Sequence, residues 1–84
     1  MFLHIDGVTH LQGYELRLEF NNGAVRDVDL TAELHGRMFA PLRDLRVFGE
    51  VRVNPETGTI EWPSGADFAP EFLLDMGRTV HELA

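Results

Sequence analysis

Residues 48–70 read FGEVRVNPETGTIEWPSGADFAP, and this stretch decides the fold. Two short runs of alternating apolar and polar residues flank residues 54–58, which is the pattern of a β-hairpin. Pro55 is suited to the first corner of a type I turn, and Gly58 tolerates a positive φ where the turn ends. The remainder, from Trp62 onward, predicts a tight loop that leads into a helix.

This hairpin has a register that its side chains select. With residues 55–58 as the loop, the predicted pairs are Val53–Ile60, Val51–Trp62 and Arg52–Glu61. Apolar side chains then share one face and opposite charges share the other, which is the arrangement of an antiparallel sheet covered on one side.

An earlier hairpin is predicted over residues 14–30, where alternating runs flank Asn21, Asn22 and Gly23. A two-residue loop would put carboxylates on the apolar face, with Leu18 opposite Asp27. A three-residue loop with Gly23 in the left-handed conformation avoids this, because a slip of one residue exchanges the two faces. The resulting predicted pairs are Leu16–Val28, Tyr14–Leu30 and Arg17–Asp27.

Shorter elements surround the two hairpins. Residues 2–11 predict a first strand that bends at Asp6-Gly7, where the alternation breaks. Thr31 is expected to cap a short helical turn ending at Gly36. Pro41 is expected to start another turn, and the residues it turns inward are Leu42 and Leu45.

The C-terminal part predicts a helix. Asp67 stands where an N-cap belongs, and Gly77 is a natural stop. One apolar stripe is expected to cover the sheet and consists of Phe68, Phe72, Leu73 and Met76. Residues 78–84 are expected to extend this helix or to fray.

Together these patterns predict one α+β domain over residues 1–84, with its core at about 5–77 and a tail at 78–84. The architecture is a small antiparallel sheet of about five strands built from two hairpins, with one or two short helices on one face.

Composition and charge argue for some classes of function and against others. The chain has 84 residues, 44% of them hydrophobic, and 14 acidic residues against seven arginines give a net charge of −7. Nucleic-acid binding requires clustered basic residues, so this balance argues against it. We expect no signal peptide and no membrane span, and therefore a cytoplasmic location. A domain this small has a limited core and no disulfide to support it, which favours a protein partner or a dimer.

The candidate chemical groups do not form a recognisable catalytic or metal motif. Histidines at positions 4, 10, 35 and 81 lack the short paired spacing of zinc ligands. The spacing around Ser64 does not support a nucleophilic triad. Asp67 is better explained as a cap than as a catalytic carboxylate. We therefore expect no enzyme, metal or cofactor.

Interaction residues are the remaining candidates. Trp62 is either a core residue with a hydrogen-bonded N–H, which we favour, or an interface anchor. The segment 35–42 mixes apolar residues with Arg37 and leads to Arg43 and Arg46; it is either an interface or a connector whose Phe39 fills the core. The candidate interaction residues are Arg37, Phe39, Arg43, Trp62 and Asp67.

These motifs resemble bacterial domain-of-unknown-function family 2442. The similarity runs over about residues 5–75 and is strongest at residues 62–67, where Ser64 replaces the family's usual Asn. Leu74 stands where a Tyr is common. The resemblance implies a small α+β fold, of the sort seen in the N-terminal domain of some bacterial helix-turn-helix proteins. No helix-turn-helix is expected after residue 77.

The resemblance also implies a functional context. Family members often accompany another small uncharacterised protein, and such pairs resemble toxin–antitoxin modules. The leading hypothesis is a non-enzymatic, antitoxin-like module that covers a basic toxin-like partner with a sheet edge or an acidic surface of Glu15, Glu19, Asp27 and Asp29. The alternatives are a homodimeric regulatory domain without its DNA-binding half, or a small-ligand or enzyme domain that uses residues 62–67.

Overall fold

The computed structural model describes residues 2–80 and confirms an α+β fold of antiparallel strands and short helices. The elements are β1 (Ile5–His10), β2 (Glu15–Phe20), β3 (Val25–Asp29), α1 (Gly36–Phe39), α2 (Leu45–Phe48), β4 (Arg52–Asn54), β5 (Thr59–Glu61), α3 (Pro70–Met76) and β6 (Arg78–Thr79). Single 3₁₀ turns at Thr31–Glu33 and Ala40–Arg43 precede α1 and α2 respectively.

The strands divide into two sheets where the sequence predicted one. The larger has the order β1-β2-β3-β6, and the smaller is the β4–β5 hairpin. The two meet at β1, where the Ile5 N–H donates to the Gly58 carbonyl at 2.8 Å. The β1–β2 register shifts between Ile5 and Gly7, which confirms the predicted bend in the first strand.

The β2–β3 hairpin has the register that burial was expected to select. Leu16 pairs with Val28 and Arg17 with Asp27, while Gly23 has a φ of +87° in the loop. Leu18 is fully buried, and its partner in the ladder is Arg26. The apolar residues of β2 therefore line the core, and the charged residues between them point away from it.

The β4–β5 hairpin also follows the prediction over most of its length. Its ladder contains the predicted Arg52–Glu61 and Val53–Ile60 pairs. It ends at Arg52–Glu61, so the expected Val51–Trp62 pair lies beyond the paired strands. Arg52 Nη2 donates to Glu61 Oε2 at 2.9 Å on the solvent side of the hairpin.

Trp62 lies at the centre of the core. It is 1% exposed, and its indole N–H donates to the Phe48 carbonyl at 2.8 Å. Phe48 in turn packs edge-on against Tyr14, with ring centroids 5.2 Å apart. This chain of contacts joins the small sheet to the connector, which we define as residues 30–51 between β3 and β4, and joins the connector to Tyr14, the residue before β2. One core therefore serves both sheets.

Three expectations for the connector are wrong. Thr31 lies inside the 3₁₀ turn, and its hydroxyl donates to Asp29 Oδ1 at 2.6 Å instead of capping a helix. Gly36 begins α1 at a φ of +81° and does not end the preceding turn. Leu42 is buried as expected, but Leu45 is 49% exposed. Asp44 caps α2 by accepting from the Arg46 N–H, so Leu45 occupies the exposed first position of a new helix.

Two expectations for the C-terminal region are also wrong. Asp67 is not the N-cap of α3, because the helix begins at Pro70 and Ala69 occupies the cap position with extended backbone. The residue before a proline is disfavoured in helical conformation, and this moves the helix start past Asp67. Residues 78–79 neither extend the helix nor fray; they form β6, in which Arg78 pairs with Asp27. The rest of the expected tail, residues 81–84, lies outside the described residues.

Gly77 ends α3 as predicted, but for a reason that only the packing reveals. Its φ of −74° is open to any residue. A Cβ at this position would lie 2.6 Å from the Arg26 Cβ, 3.0 Å from the Leu73 carbonyl oxygen and 3.1 Å from Val28 Cγ1. Absence of a side chain at Gly77 therefore lets α3 turn directly into β6 against β3.

We expect Gly77→Ala to lower the free energy of unfolding by about 1–3 kcal/mol, because the added methyl group overpacks this turn. The matched control is Gly49→Ala. Gly49 has a helical φ of −67°, and the nearest atom to its added Cβ is 3.4 Å away. Urea unfolding of both variants checks this; equal stability of the two would show that the α3–β6 turn is not tightly packed.

Candidate interaction surfaces

One face of the large sheet is uncovered by helices and carries most of its charges. This outer sheet face, as we call it, consists of Glu15, Arg17, Glu19, Asp27, Asp29 and Arg78. Each of the β2 residues in this set alternates with a buried one. The charges are thus arranged by the period-two geometry of the strands, and the core occupies the opposite side.

An arginine cluster neutralises the middle of this face. Arg17 binds Asp27 with two parallel hydrogen bonds of 2.8 and 3.0 Å. Arg78 lies beside Asp27 in the β3–β6 ladder, and its Nη2 is 3.4 Å from Glu15 Oε2. The hydrogen bond from Arg17 is the main cause that lowers the pKa of Asp27, and the nearby positive charges of Arg17 and Arg78 also lower it. The carboxylate of Asp27 is therefore already paired with arginine side chains of the same chain.

Two carboxylates lie directly opposite each other at the end of the face. Glu15 and Asp29 are partners in the β2–β3 ladder. Like charges at such positions destabilise a sheet. The pKa of Asp29 is nevertheless lowered, chiefly by the hydrogen bond from the Thr31 hydroxyl and then by that from the Thr31 N–H. A shallow notch lies at this point and is lined by Gln12, Gly13, Tyr14, Glu15, Asp29 and Thr31.

A second surface is formed by stacked aromatic rings between α1 and α3. The ring of Phe68 stacks on the rings of Phe39 and Phe72, with centroid distances of 4.8 and 5.9 Å. We call Phe39, Phe68 and Phe72 the aromatic row. Phe68 is nearly buried, but Phe72 is 42% exposed and Met38, next to Phe39 in α1, is 52% exposed. The row therefore begins in the core and reaches solvent.

The five candidate interaction residues are not brought together into one site. Trp62 is in the core, as favoured, and is not on the surface. Arg43 is exposed, but its Nε donates to the Leu34 carbonyl at 2.6 Å and its own carbonyl accepts from the Tyr14 hydroxyl. These hydrogen bonds hold Arg43 against Leu34 and against Tyr14, the residue that precedes β2.

The other three candidates have different environments. Arg37 is exposed on α1, as expected if this segment is an interface. Phe39 is half-buried in the aromatic row, as expected if the segment is a connector whose Phe39 fills the core. Asp67 is exposed, and its backbone bridges to Glu61. Of the five, only Arg37 and Phe39 share a short element, namely α1.

Sequence reasoning missed two groups of surface residues. Arg78 was assigned to the tail, although it joins the outer sheet face through β6. Glu71 and Asp75 were not singled out, although their spacing of four puts them on one side of α3 near the exposed Phe72. The available signal for Glu71 and Asp75 was their position on either side of Phe72, four residues apart on a predicted helix. Nothing in the local sequence around Arg78 indicated that it belongs to a strand.

The histidines do not assemble a metal site within residues 2–80, where no three His, Asp or Glu side chains are grouped as metal ligands. His10 Nε2 donates to the Gly13 carbonyl at 2.7 Å, and its ring packs against Phe48. His4 lies 3.1 Å from Asp6. His81 is outside the described residues. Within the same range, no helix has the length and hydrophobicity needed to cross a membrane.

The fold and its surfaces define a small α+β domain with a solvent-facing charged sheet. A family model with the description "Protein of unknown function (DUF2442)" matches residues 5–79. The chain therefore belongs to this family, as its sequence motifs indicated. No curated protein and no solved structure matches the chain.

The charge pairs of the outer sheet face predict how stability responds to acid. A carboxylate whose pKa is lower in the folded than in the unfolded state stabilises the fold at neutral pH. That contribution is lost as the pH falls from about 5 through the folded-state pKa. Because the pKa of Asp27 is lowered by Arg17, we expect Asp27→Asn to flatten the acid-side decline of the unfolding free energy.

Chemical denaturation at a series of pH values measures this slope. Arg17→Gln should flatten it as well, since the bidentate hydrogen bonds are then absent. The double variant should add little to either single change, because both remove the same pair. Full additivity of the two changes would contradict the assignment of the slope to this pair.

Proposed function

We propose that the protein is a non-enzymatic interaction module whose outer sheet face covers a basic surface of a partner protein. The observation that carries the proposal is the direct opposition of Glu15 and Asp29 in the β2–β3 ladder. Two carboxylates in this position repel each other unless a cation lies between them. A lysine or arginine side chain of a partner in the adjacent notch would interact with both.

The charges within the chain leave room for such a cation. Asp29 is held by hydrogen bonds from Thr31, which orient its carboxylate but add no positive charge, and the nearby charge of Arg78 is a smaller cause that lowers its pKa. Arg78 approaches Glu15 only at 3.4 Å, and its side chain is 72% exposed. An exposed contact of this kind contributes little, so it compensates the carboxylate pair only in part.

The negative charge of the outer sheet face supports the same proposal. Four carboxylates and two arginines share it, so its net charge is negative. An acidic surface attracts a basic partner over a distance and speeds their encounter, although it adds less to final affinity. The negative charge of the whole chain, −7, acts in the same direction.

An antitoxin-like role is the finer form of this proposal. A module that covers a basic toxin-like partner acts by occlusion, and it requires a broad surface without catalytic groups. The family resemblance suggests such pairs of small proteins. The natural candidate partner is accordingly the small basic protein encoded next to this chain, where the gene neighbourhood contains one.

Co-purification with that neighbouring protein tests the proposal. We expect a complex that dissociates at high salt, because exposed charges are screened. The double variant Glu15→Gln/Asp29→Asn should weaken binding about tenfold, which corresponds to about 1.4 kcal/mol. It should still fold, with an unfolding free energy within about 0.5 kcal/mol of the wild type, as for most surface substitutions.

The matched control changes the net charge equally at other exposed positions. Glu50→Gln/Glu56→Gln removes two carboxylates that lie away from the outer sheet face. This control should bind like the wild type. If both double variants weaken binding equally, the cause is the overall charge of the chain and not the outer sheet face. If Glu15→Gln/Asp29→Asn does not weaken binding, the proposed surface is wrong.

A further inference from the structure

We infer that Asn22, in the loop between β2 and β3, is a site of spontaneous deamidation, and that the folded hairpin restrains this reaction until the loop opens. Asn22 precedes Gly23, and both residues are exposed. The site lies at the opposite end of the hairpin from the Glu15–Asp29 pair, and the inference does not depend on the proposed function.

The reaction is a ring closure followed by hydrolysis. The Gly23 nitrogen gives its proton to water or hydroxide and attacks Asn22 Cγ. The new N–Cγ bond closes a succinimide ring, and the Cγ–Nδ2 bond breaks as ammonia leaves. Water then adds to either carbonyl of the ring and opens it, giving aspartate or isoaspartate. Water is consumed and ammonia is released, with no change of oxidation state.

The surroundings of Gly23 make its nitrogen accessible. Glycine has no side chain to hinder the approach of the nitrogen to the carboxamide. Among the described residues, no atom outside the adjacent chain lies within 4 Å of the point where a Gly23 Cβ would stand. Water and a base can therefore reach the reacting atoms.

The other two asparagines of the chain are less suited to this reaction. Asn21 is followed by Asn22, whose side chain crowds the attacking nitrogen. Asn54 is followed by Pro55, whose nitrogen has no proton to lose. Asn22 is therefore the asparagine at which ring closure meets the least steric and chemical resistance.

The folded loop holds both reacting groups in hydrogen bonds. The Gly23 N–H donates to the Phe20 carbonyl at 3.0 Å, and this bond must break before the nitrogen can lose its proton. Asn22 Oδ1 accepts from the Ala24 N–H at 2.9 Å, which fixes the carboxamide in the turn. Ring closure therefore requires the loop to leave this conformation first, which is a local opening of the fold.

Asn21 fastens the same loop to the N-terminal segment. Its Oδ1 accepts from the His4 N–H and its Nδ2 donates to the Phe2 carbonyl, both at 2.9 Å. Its own N–H donates to the His4 carbonyl at the same distance. Opening of the loop has to break these contacts as well, so Asn21 restrains the reaction of its neighbour.

The two products differ in their effect on the hairpin. Aspartate keeps the course of the main chain and a side-chain oxygen that can accept from the Ala24 N–H. Isoaspartate runs the main chain through Cβ and Cγ, which lengthens the loop by a backbone carbon. Because loop length sets the register of β2 and β3, we expect isoaspartate to destabilise the hairpin.

Mass spectrometric peptide mapping of the full chain, incubated at mildly alkaline pH, tests the inference. We expect Asn22 to be lost at least about tenfold faster in urea than in the folded protein, because a reaction of the open form is slowed by the small population of that form. Asn21 and Asn54 are internal controls and should react more slowly than Asn22 in the unfolded chain.

A variant that loosens the loop separates restraint by the fold from intrinsic reactivity. Asn21→Ala removes both side-chain hydrogen bonds to the N-terminal segment and keeps Asn22 before Gly23. It should speed the folded-state reaction at least about fivefold, as for the loss of a net hydrogen bond, and leave the rate in urea unchanged. Gln12→Ala is the matched control, at an exposed side chain whose hydrogen bond is 3.5 Å long, and should react like the wild type.

Urea unfolding of the products tests the effect on the hairpin. Asn22→Asp should unfold at the urea concentration of the wild type, whereas isoaspartate-containing protein, separated by ion exchange, should unfold at a lower one. Equal rates for Asn22 in the folded and unfolded chain, or a folded-state rate that Asn21→Ala leaves unchanged, would overturn the inference. Isoaspartate-containing protein as stable as the wild type would overturn the predicted effect on the register.

Discussion

The register of the β2–β3 hairpin is the constraint on which the rest of the structure depends. Side chains alternate with a period of two, so one choice of loop length decides which residues are buried. Here Leu16 faces Val28 in the core, and Arg17 faces Asp27 outside it. A shift by one residue would place carboxylates in the core and remove the outer sheet face.

The aromatic core connects this hairpin to everything after it. Trp62 bonds to the Phe48 carbonyl and packs against Phe68, so the small sheet, the connector and the entry to α3 share one cluster. Phe68 also supports Phe39 and Phe72. The same contacts that stabilise the fold therefore hold apolar side chains at the surface between α1 and α3. The charged sheet and this aromatic surface are two consequences of one core.

The hairpin registers could be predicted from local sequence because the partners within each hairpin distinguish one register from the next. In both, one register put apolar residues together and opposite charges together, and the structure has that register. Helix boundaries were harder. Asp67 has the chemistry of a cap, but Pro70 moved the helix start beyond it. Gly77 was expected as a stop, yet the crowding of Arg26 and Val28 that makes glycine necessary there depends on residues about 50 positions earlier.

The sequence by itself determined the fold class, the two hairpin registers, the bend in β1 and the family, because short-range alternation and turn chemistry encode them. Tertiary structure alone decided that β6 joins β3, that Phe72 is exposed, and that Arg78 lies among the acids of the outer sheet face. These features depend on which elements meet across long separations. Which elements pack together depends on all the apolar residues that can fill one small core, and a short stretch of sequence does not contain that information.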